Sequence, residues 1–191
     1  IQAGPLVWKA DYLVGVATRK NRRHRGYMRQ LLVRMMGDMR REGMPFCFLM
    51  PAAEAIYRPF GFTYIFDQPR WSLKENGLTR KNAAEMIGET AGWMNRWMKE
   101  RYQVFSLRDE AYVSMLLAET ASENGVLEAL YQDGRLVGVQ SIWGLEKREQ
   151  RLLYAEDGLL KQEGEPRPAI MARIISPEEF VKAVGRKPLK E

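Results

Sequence analysis

Cysteine and histidine are nearly missing from this sequence: Cys47 and His24 are the single representatives of each. One cysteine excludes an internal disulfide framework and fits a reducing compartment, so a cytoplasmic setting is expected. One histidine excludes zinc sites built on several histidines, and it leaves a Ser-His triad only His24 to draw on. No metal site is expected. Long apolar runs are missing too. The uncharged stretch around the apolar peak, Met44 to Ala53, has ten residues. A spanning helix needs about 20, so no membrane segment is expected. The chain opens at Ile1 with neither an initiator methionine nor a basic-then-apolar leader, which reads as a cropped end rather than a targeting signal. What is present suffices for a core: 46% apolar and 28% charged residues over 191 positions suit one large or two small globular domains.

Acidic residues are missing from one place in particular. Residues 19–29, RKNRRHRGYMR, hold Arg19, Lys20, Arg22, Arg23, Arg25 and Arg29 and no Asp or Glu. These six charges equal the whole net charge of +6, so the remainder of the chain is balanced. A nucleic-acid binder usually carries cations along a whole face, because each phosphate contact adds counterion-release free energy. A compact cluster suits a small polyanionic ligand at one site better.

Residues 6–18 read as strand, with Leu13, Val14, Val16 and Thr18 favouring a pleated surface. From Gly26 the period changes. Tyr27, Leu31, Met35 and Met39 recur every four residues, with Met28, Leu32 and Met36 beside them, which predicts a helix ended by Gly43 and Pro45. Phe46–Met50 is a short apolar run of the buried-strand kind. Strand, basic loop, helix and buried strand make a βαβ unit. AAEAIYR (52–58) gives a helical turn or two before Pro59 and Gly61, and Phe62–Phe66 resumes as strand. Residues 70–80 read as linking, and Lys81–Arg101 as a helix. Further on, Gln103–Leu107 reads as strand and Asp109–Ala121 as helix. Val126–Tyr131 and Arg135–Trp143 form a hairpin about Asp133-Gly134, with strands at Arg151–Ala155 and Ile170–Ile175. Ser176-Pro177-Glu178-Glu179 marks a last helix start, expected to open a further domain.

The basic loop stands where a strand hands over to a helix N-terminus. There, unpaired N–H groups and the helix dipole make an anion site without any side chain. Gly26 lets the backbone come close to a ligand, and the arginines add charge-assisted bonds to phosphate. A solvated basic loop ahead of an amphipathic helix is the equally weighted alternative.

Val16-Ala17-Thr18 followed by Arg23-His24-Arg25-Gly26-Tyr27-Met28 resembles the acetyl-CoA signature of the GNAT acetyltransferases, Q/R-x-x-G-x-G/A, with Met28 where Gly or Ala is usual. The longer string GVATRKNRRHRGYMRQLL with PAAEAIYRPFGF is similar to the enhanced-intracellular-survival (Eis-like) branch of bacterial multidomain GNATs. The resemblance is specific across residues 12–66 and looser from 100 to 175. It implies an α+β GNAT fold: residues 1–69 as the C-terminal part of an acetyl-CoA-binding domain, 70–101 as a linking helical segment, and 102–175 as a second GNAT-like domain. Residues 176–191 would begin a sterol-carrier-like domain. It also implies acetyl transfer from acetyl-CoA to an amine, which attacks the thioester directly. The acceptor would be a small molecule or a lysine-type amine, and the protein a homo-oligomer, hexameric by resemblance.

Carried over residue by residue, Val16 and Thr18 would face the pantetheine arm. Arg23, His24, Arg25, Gly26, Tyr27 and Met28 would bind the pyrophosphate, mainly through backbone amides. Tyr57, in AIYRPFGF, would protonate the departing thiolate as general acid. Its alternative is a core tyrosine under Pro59 and Phe60. Glu54, one helical turn earlier, either orients the site or is solvated. The family's base is proposed to be the C-terminal carboxylate of the full chain, a role not given to Glu191. Cys47 reads as a small core residue. Two other function classes stay open: a CoA-binding or assembly module without turnover, and a nucleic-acid binder using the 19–29 cluster.

Overall fold

The computed structural model describes residues 1–3, 6–74 and 77–185. It is a mixed α and β chain whose contacts divide it into two compact units, Ile1–Gln68 with Pro166 onward, and Pro69–Glu165. The first unit opens with β1 (Gln2–Ala3) and β2 (Leu6–Val7), then α1 (Tyr27–Arg41), β3 (Phe46–Leu49), α2 (Glu54–Tyr57) and β4 (Thr63–Gln68). The second contains β5 (Trp71–Leu73), β6 (Thr79–Asn82), α3 (Ile87–Arg101), β7 (Val104–Phe105) and α4 (Glu110–Ser122). It continues with β8 (Val126–Gln132), β9 (Arg135–Trp143), β10 (Glu149–Ala155) and β11 (Leu160–Gln162). The chain then returns to the first unit as β12 (Arg167–Ile174) and α5 (Pro177–Val184).

In the first unit β12 lies between β3 and β4, antiparallel to both, with Met171 opposite Leu49 on one side and Tyr64 on the other. Leu32 and Met39 of α1 are buried in one cluster with Leu13, Cys47, Leu49, Tyr57, Phe62 and Met171. The helix is rotated slightly from the expected row. Tyr27 and Leu31 are exposed, and Met28, Leu32, Met35, Met36 and Met39 face the core. A strict four-residue row turns by about 40° per step on a 3.6-residue helix, so it leaves the core face within two turns.

The strand expected over 6–18 is mostly absent. Beyond Leu6–Val7, Trp8 exchanges backbone bonds with Ile1, and the pairing found after it among the described residues is a parallel bridge between Tyr12 and Phe48. There the Leu13 N–H donates to the Phe48 carbonyl at 2.9 Å, and the Phe48 N–H to that of Asp11 at 3.2 Å. Gly15, at φ +69°, then turns the chain out of line. Val16 and Thr18 are therefore loop residues, not the end of a strand. The bridge keeps the parallel sense of the expected βαβ unit, but the segment before α1 is an isolated bridge and not a strand.

The end of the chain also differs from expectation. Strand 167–174 completes the first unit's sheet and so leaves the 102–175 segment. Helix α5 packs there as well: Phe180 meets Phe46 edge-on at 6.0 Å and Ala183 is buried. The start at Pro177 is where the sequence puts it, but the Ser176 side chain makes no capping bond. Glu191 lies outside the described residues.

In the second unit β10, β9, β8 and β6 form an antiparallel sheet in that order. The β8–β9 hairpin turns at Asp133 (φ +51°) and Gly134 (φ +76°), the backbone that an Asp-Gly pair favours. Residues 70–80 are not a plain linker: β5 pairs with β11, and β6 pairs with β8. Helix α3 starts at Ile87 rather than Lys81, because Lys81 and Asn82 finish β6. The Asn82 side chain then accepts from the Ala84 N–H at 3.0 Å and holds a single tight turn. Trp93, Met94, Trp97 and Met98 of α3 are buried in the core with Val113, Leu116, Leu127 and Val139.

Candidate functional site

The loop between Leu13 and α1 is held by few bonds. After Gly15, the N–H groups of Val16, Ala17 and Thr18 have no partner among the described residues. The Arg23 guanidinium donates from Nε to the Thr18 carbonyl at 3.2 Å, which ties the loop to the basic cluster. Lys20–Arg22 form one tight turn, and the chain then passes through His24 at φ +60° and Gly26 at φ +78°. A histidine in the left-handed region is uncommon, whereas glycine takes it freely. Nothing lies within 4 Å of the position a Cβ would take at Gly26, so the space in front of the helix is open.

Helix α1 starts without a side-chain cap and without an acid in its first turn. The first helical bond runs from the Gln30 N–H to the Gly26 carbonyl at 3.0 Å. That leaves the N–H groups of Tyr27, Met28 and Arg29 without a partner among the described residues, with the positive end of the helix dipole behind them. Arg19, Lys20, Arg22, Arg25 and Arg29 have no acidic partner among the described residues. Residues 19–27 are exposed and Met28 is half-buried. Open amides, a helix terminus and unpaired guanidinium groups together suit a phosphate-bearing ligand.

Tyr57 ends α2 and is 8% exposed. Its ring meets Phe62 edge-on at 6.0 Å, within the cluster that also holds Leu13 from the start of the loop. Its hydroxyl has no hydrogen-bond partner among the described residues. Glu54 is taken by Arg58, one turn on, in a charge-assisted pair. Cys47 is fully buried, and burial pushes its thiol up to about 11, which keeps it protonated and unreactive at neutral pH. The run of free amides at 16–18 is a feature that strand propensity conceals; Gly15 is the one local signal for it.

Residues 3–65 match the sequence model of a family described as an acetyltransferase (GNAT) domain. Among solved structures, the chain resembles a GCN5-related N-acetyltransferase from Kribbella flavida, at TM-score 0.64 and 15% identity, over 94% of this chain and 56% of that one. The fold is that of the GNAT acetyltransferases. A conserved Enterococcus faecalis protein described as a probable N-acyltransferase aligns at TM-score 0.63 and 14% identity, over 91% of this chain and 56% of that one. Eis1 from Mycobacterium abscessus aligns at TM-score 0.62 and 13% identity, over 91% and 59% of the two chains. This chain thus spans little more than half the length of each. No curated protein matches the sequence. In GNAT terms, the basic loop and the start of α1 occupy the matched segment, and so do α2 and Tyr57. No described helix is long and apolar enough to cross a membrane.

Proposed function

We propose that this chain carries the acetyl-CoA site of an Eis-like N-acetyltransferase, which passes the acetyl group directly to an amine. One observation carries the proposal: an uncapped helix start led by a left-handed Gly26 adjoins an acid-free loop with five cations, and a sixth, Arg29, stands in the first turn of α1. The pyrophosphate takes the amides of Tyr27 and Met28 and those of the Arg23–Gly26 turn, His24 included, with Arg23 and Arg25 adding side-chain contacts. The pantetheine arm runs beside Val16 and Thr18, whose free N–H groups favour this role. One of them polarises the thioester carbonyl as charge develops on oxygen. The amine nitrogen then attacks the carbonyl carbon, and the C–S bond breaks with its electron pair going to sulfur. Tyr57 gives its phenolic proton to that thiolate. The proton released by the amine passes to a base, which the resemblance assigns to the C-terminal carboxylate of the family's full chain. The acceptor is a small-molecule or lysine-type amine, and the setting cytoplasmic. Assembly into an oligomer belongs to the same proposal, supported by exposed Val7, Val14 and Ile65.

A second reading, a module that binds CoA without turnover, is favoured by one observation: Tyr57 is packed among core side chains. Calorimetry with acetyl-CoA, CoA and a short DNA duplex on one sample, beside an amine-acetylation assay, separates the readings. Both CoA ligands should bind at physiological salt and the duplex should not. Duplex binding without CoA binding would overturn the proposal, and CoA binding without acetylation of any amine would leave the module.

A further inference from the structure

The turn that follows Tyr57 is tied to a strand far along the chain. From Ala53 to Phe62 the hydrogen bonds among the described residues are otherwise local. The Ile56 N–H donates to the Ala53 carbonyl at 3.2 Å, the Gly61 N–H to that of Arg58 at 2.9 Å and the Phe62 N–H to that of Tyr57 at 3.4 Å. The Arg58 side chain is engaged by Glu54. Arg173 of β12 supplies the exception: its guanidinium donates to the Phe60 carbonyl, across 113 positions of sequence. The same Nη1 would lie 3.5 Å from a Cβ at Gly61, whose φ of +76° turns the chain from the helical turn into β4. A cation suits this place, because the last carbonyls of a helical turn need donors from outside it. Arg173 is half-buried and has no acidic partner among the described residues. Strand pairing holds β4 from Thr63, which faces Ala172, and Arg173 carries that hold back over the turn to Phe60.

We infer that Arg173 is a positioning residue for Tyr57: its bond to the Phe60 carbonyl fixes the turn that sets where the phenol stands. The inference rests on the reading of Tyr57 as the proton donor. The Tyr57 hydroxyl has no partner of its own among the described residues, so backbone and packing against Phe62 place it. Proton transfer to sulfur requires the donor within hydrogen-bond reach. A misplacement of about 1 Å at a reacting group can cost about 10²-fold in rate. Arg173 lies on β12, outside the 16–29 loop, so its loss should spare acetyl-CoA binding.

The test compares two variants of the complete protein. Arg173→Met keeps the apolar stem and removes every donor, whereas Arg173→Lys keeps a charged one. Arg173→Met should lower kcat by about tenfold or more, with acetyl-CoA affinity in calorimetry unchanged. Arg173→Lys should recover most of that loss. Added to Tyr57→Phe, Arg173→Met should cost no further turnover, because it acts through the phenol. Should Arg173→Met fail to fold, Arg173→Gln, whose shorter stem withdraws the donors, takes its place in each comparison. Melting curves run beside the kinetics. A merely structural role would lower Tm and leave the kcat of the folded protein parental, which overturns the inference. So does an equal loss of turnover with and without the Tyr57 hydroxyl. The two failures are distinguishable. A slow Tyr57→Phe beside a parental Arg173→Met removes the positioning role alone, while parental turnover in Tyr57→Phe removes the proton donor and this inference with it.

Discussion

Replacing Tyr57 by Phe separates a proton donor from a packing residue. The ring is 8% exposed and meets Phe62 edge-on at 6.0 Å, and phenylalanine keeps both the ring and that contact. The hydroxyl has no hydrogen-bond partner among the described residues and is not among the buried unpaired side-chain atoms. Its removal therefore strands no partner, which is the usual source of a 1–3 kcal/mol cost. A change in stability of no more than about 0.5 kcal/mol follows. For a chain of this size that is a shift of about 2 °C or less in Tm. Turnover should behave differently. General acid catalysis is worth about 10²–10⁴-fold, or about 3–5 kcal/mol at 1.36 per decade. The loss should fall on kcat and on kcat/KM alike, with acetyl-CoA affinity kept, because the phenol acts only as charge develops on sulfur. The assay is steady-state kinetics beside a melting curve, in the complete protein. Tyr57→Ala is the wrong variant, since the cavity it leaves costs about 3–5 kcal/mol and mixes the two effects. Parental turnover in Tyr57→Phe would refute the catalytic role, and the CoA-binding claim would stand alone.

Other outcomes are expected from the same structure. Arg23→Ala with Arg25→Ala should weaken acetyl-CoA by about tenfold or more in calorimetry and leave Tm unchanged, since both side chains are exposed; equal affinity would remove the phosphate-site argument. Cys47 has its thiol raised by burial from 9.0 to about 11, so the folded state keeps a proton that the unfolded state gives up. Stability from this group is present below pH 9 and is lost as pH rises towards 11, and urea midpoints measured over that range should fall less steeply in Cys47→Ala. Gly125→Ala should destabilise the second unit by about 1–3 kcal/mol or more in denaturant unfolding, because its Cβ would lie 2.3 Å from the Ile142 carbonyl oxygen and 2.9 Å from that of Thr120.

What the sequence makes legible has a short range. The Asp133-Gly134 hairpin, the start of α5 at Pro177 and the stop at Gly61 are each written within about four residues, and all three are in the structure. The placement of β12 is not written locally. Its partners β3 and β4 lie about a hundred residues upstream, with the whole second unit between, and an apolar strand pattern names no partner. The same limit explains residues 13–18, whose β-branched side chains read as strand. A pleated surface needs a neighbour, and residues 14–18 have none among the described residues, because Gly15 turns the chain away from Phe48.

The candidate site divides along the same line. Its anion-binding part is compact in sequence: cations, Gly26 and the start of α1 fall within residues 19–29, so charge and helix signals suffice to find it. The open amides of Val16–Thr18 are visible only once the missing strand is known to be missing, although they favour the proposed chemistry more directly than strand pairing does. An amide already engaged in a sheet cannot donate to a thioester oxygen, whereas a free one can do so without reorganising. Tyr57 is the contrasting case. Resemblance selects the residue, and local patterning puts it on a short helix, but its burial comes from Phe62, Leu13 and Met171, which are brought together only by the folded sheet. The same packing that makes a core residue of its ring would also hold a phenol in a fixed place, so burial alone does not choose between the two roles, and the kinetic split between turnover and melting does.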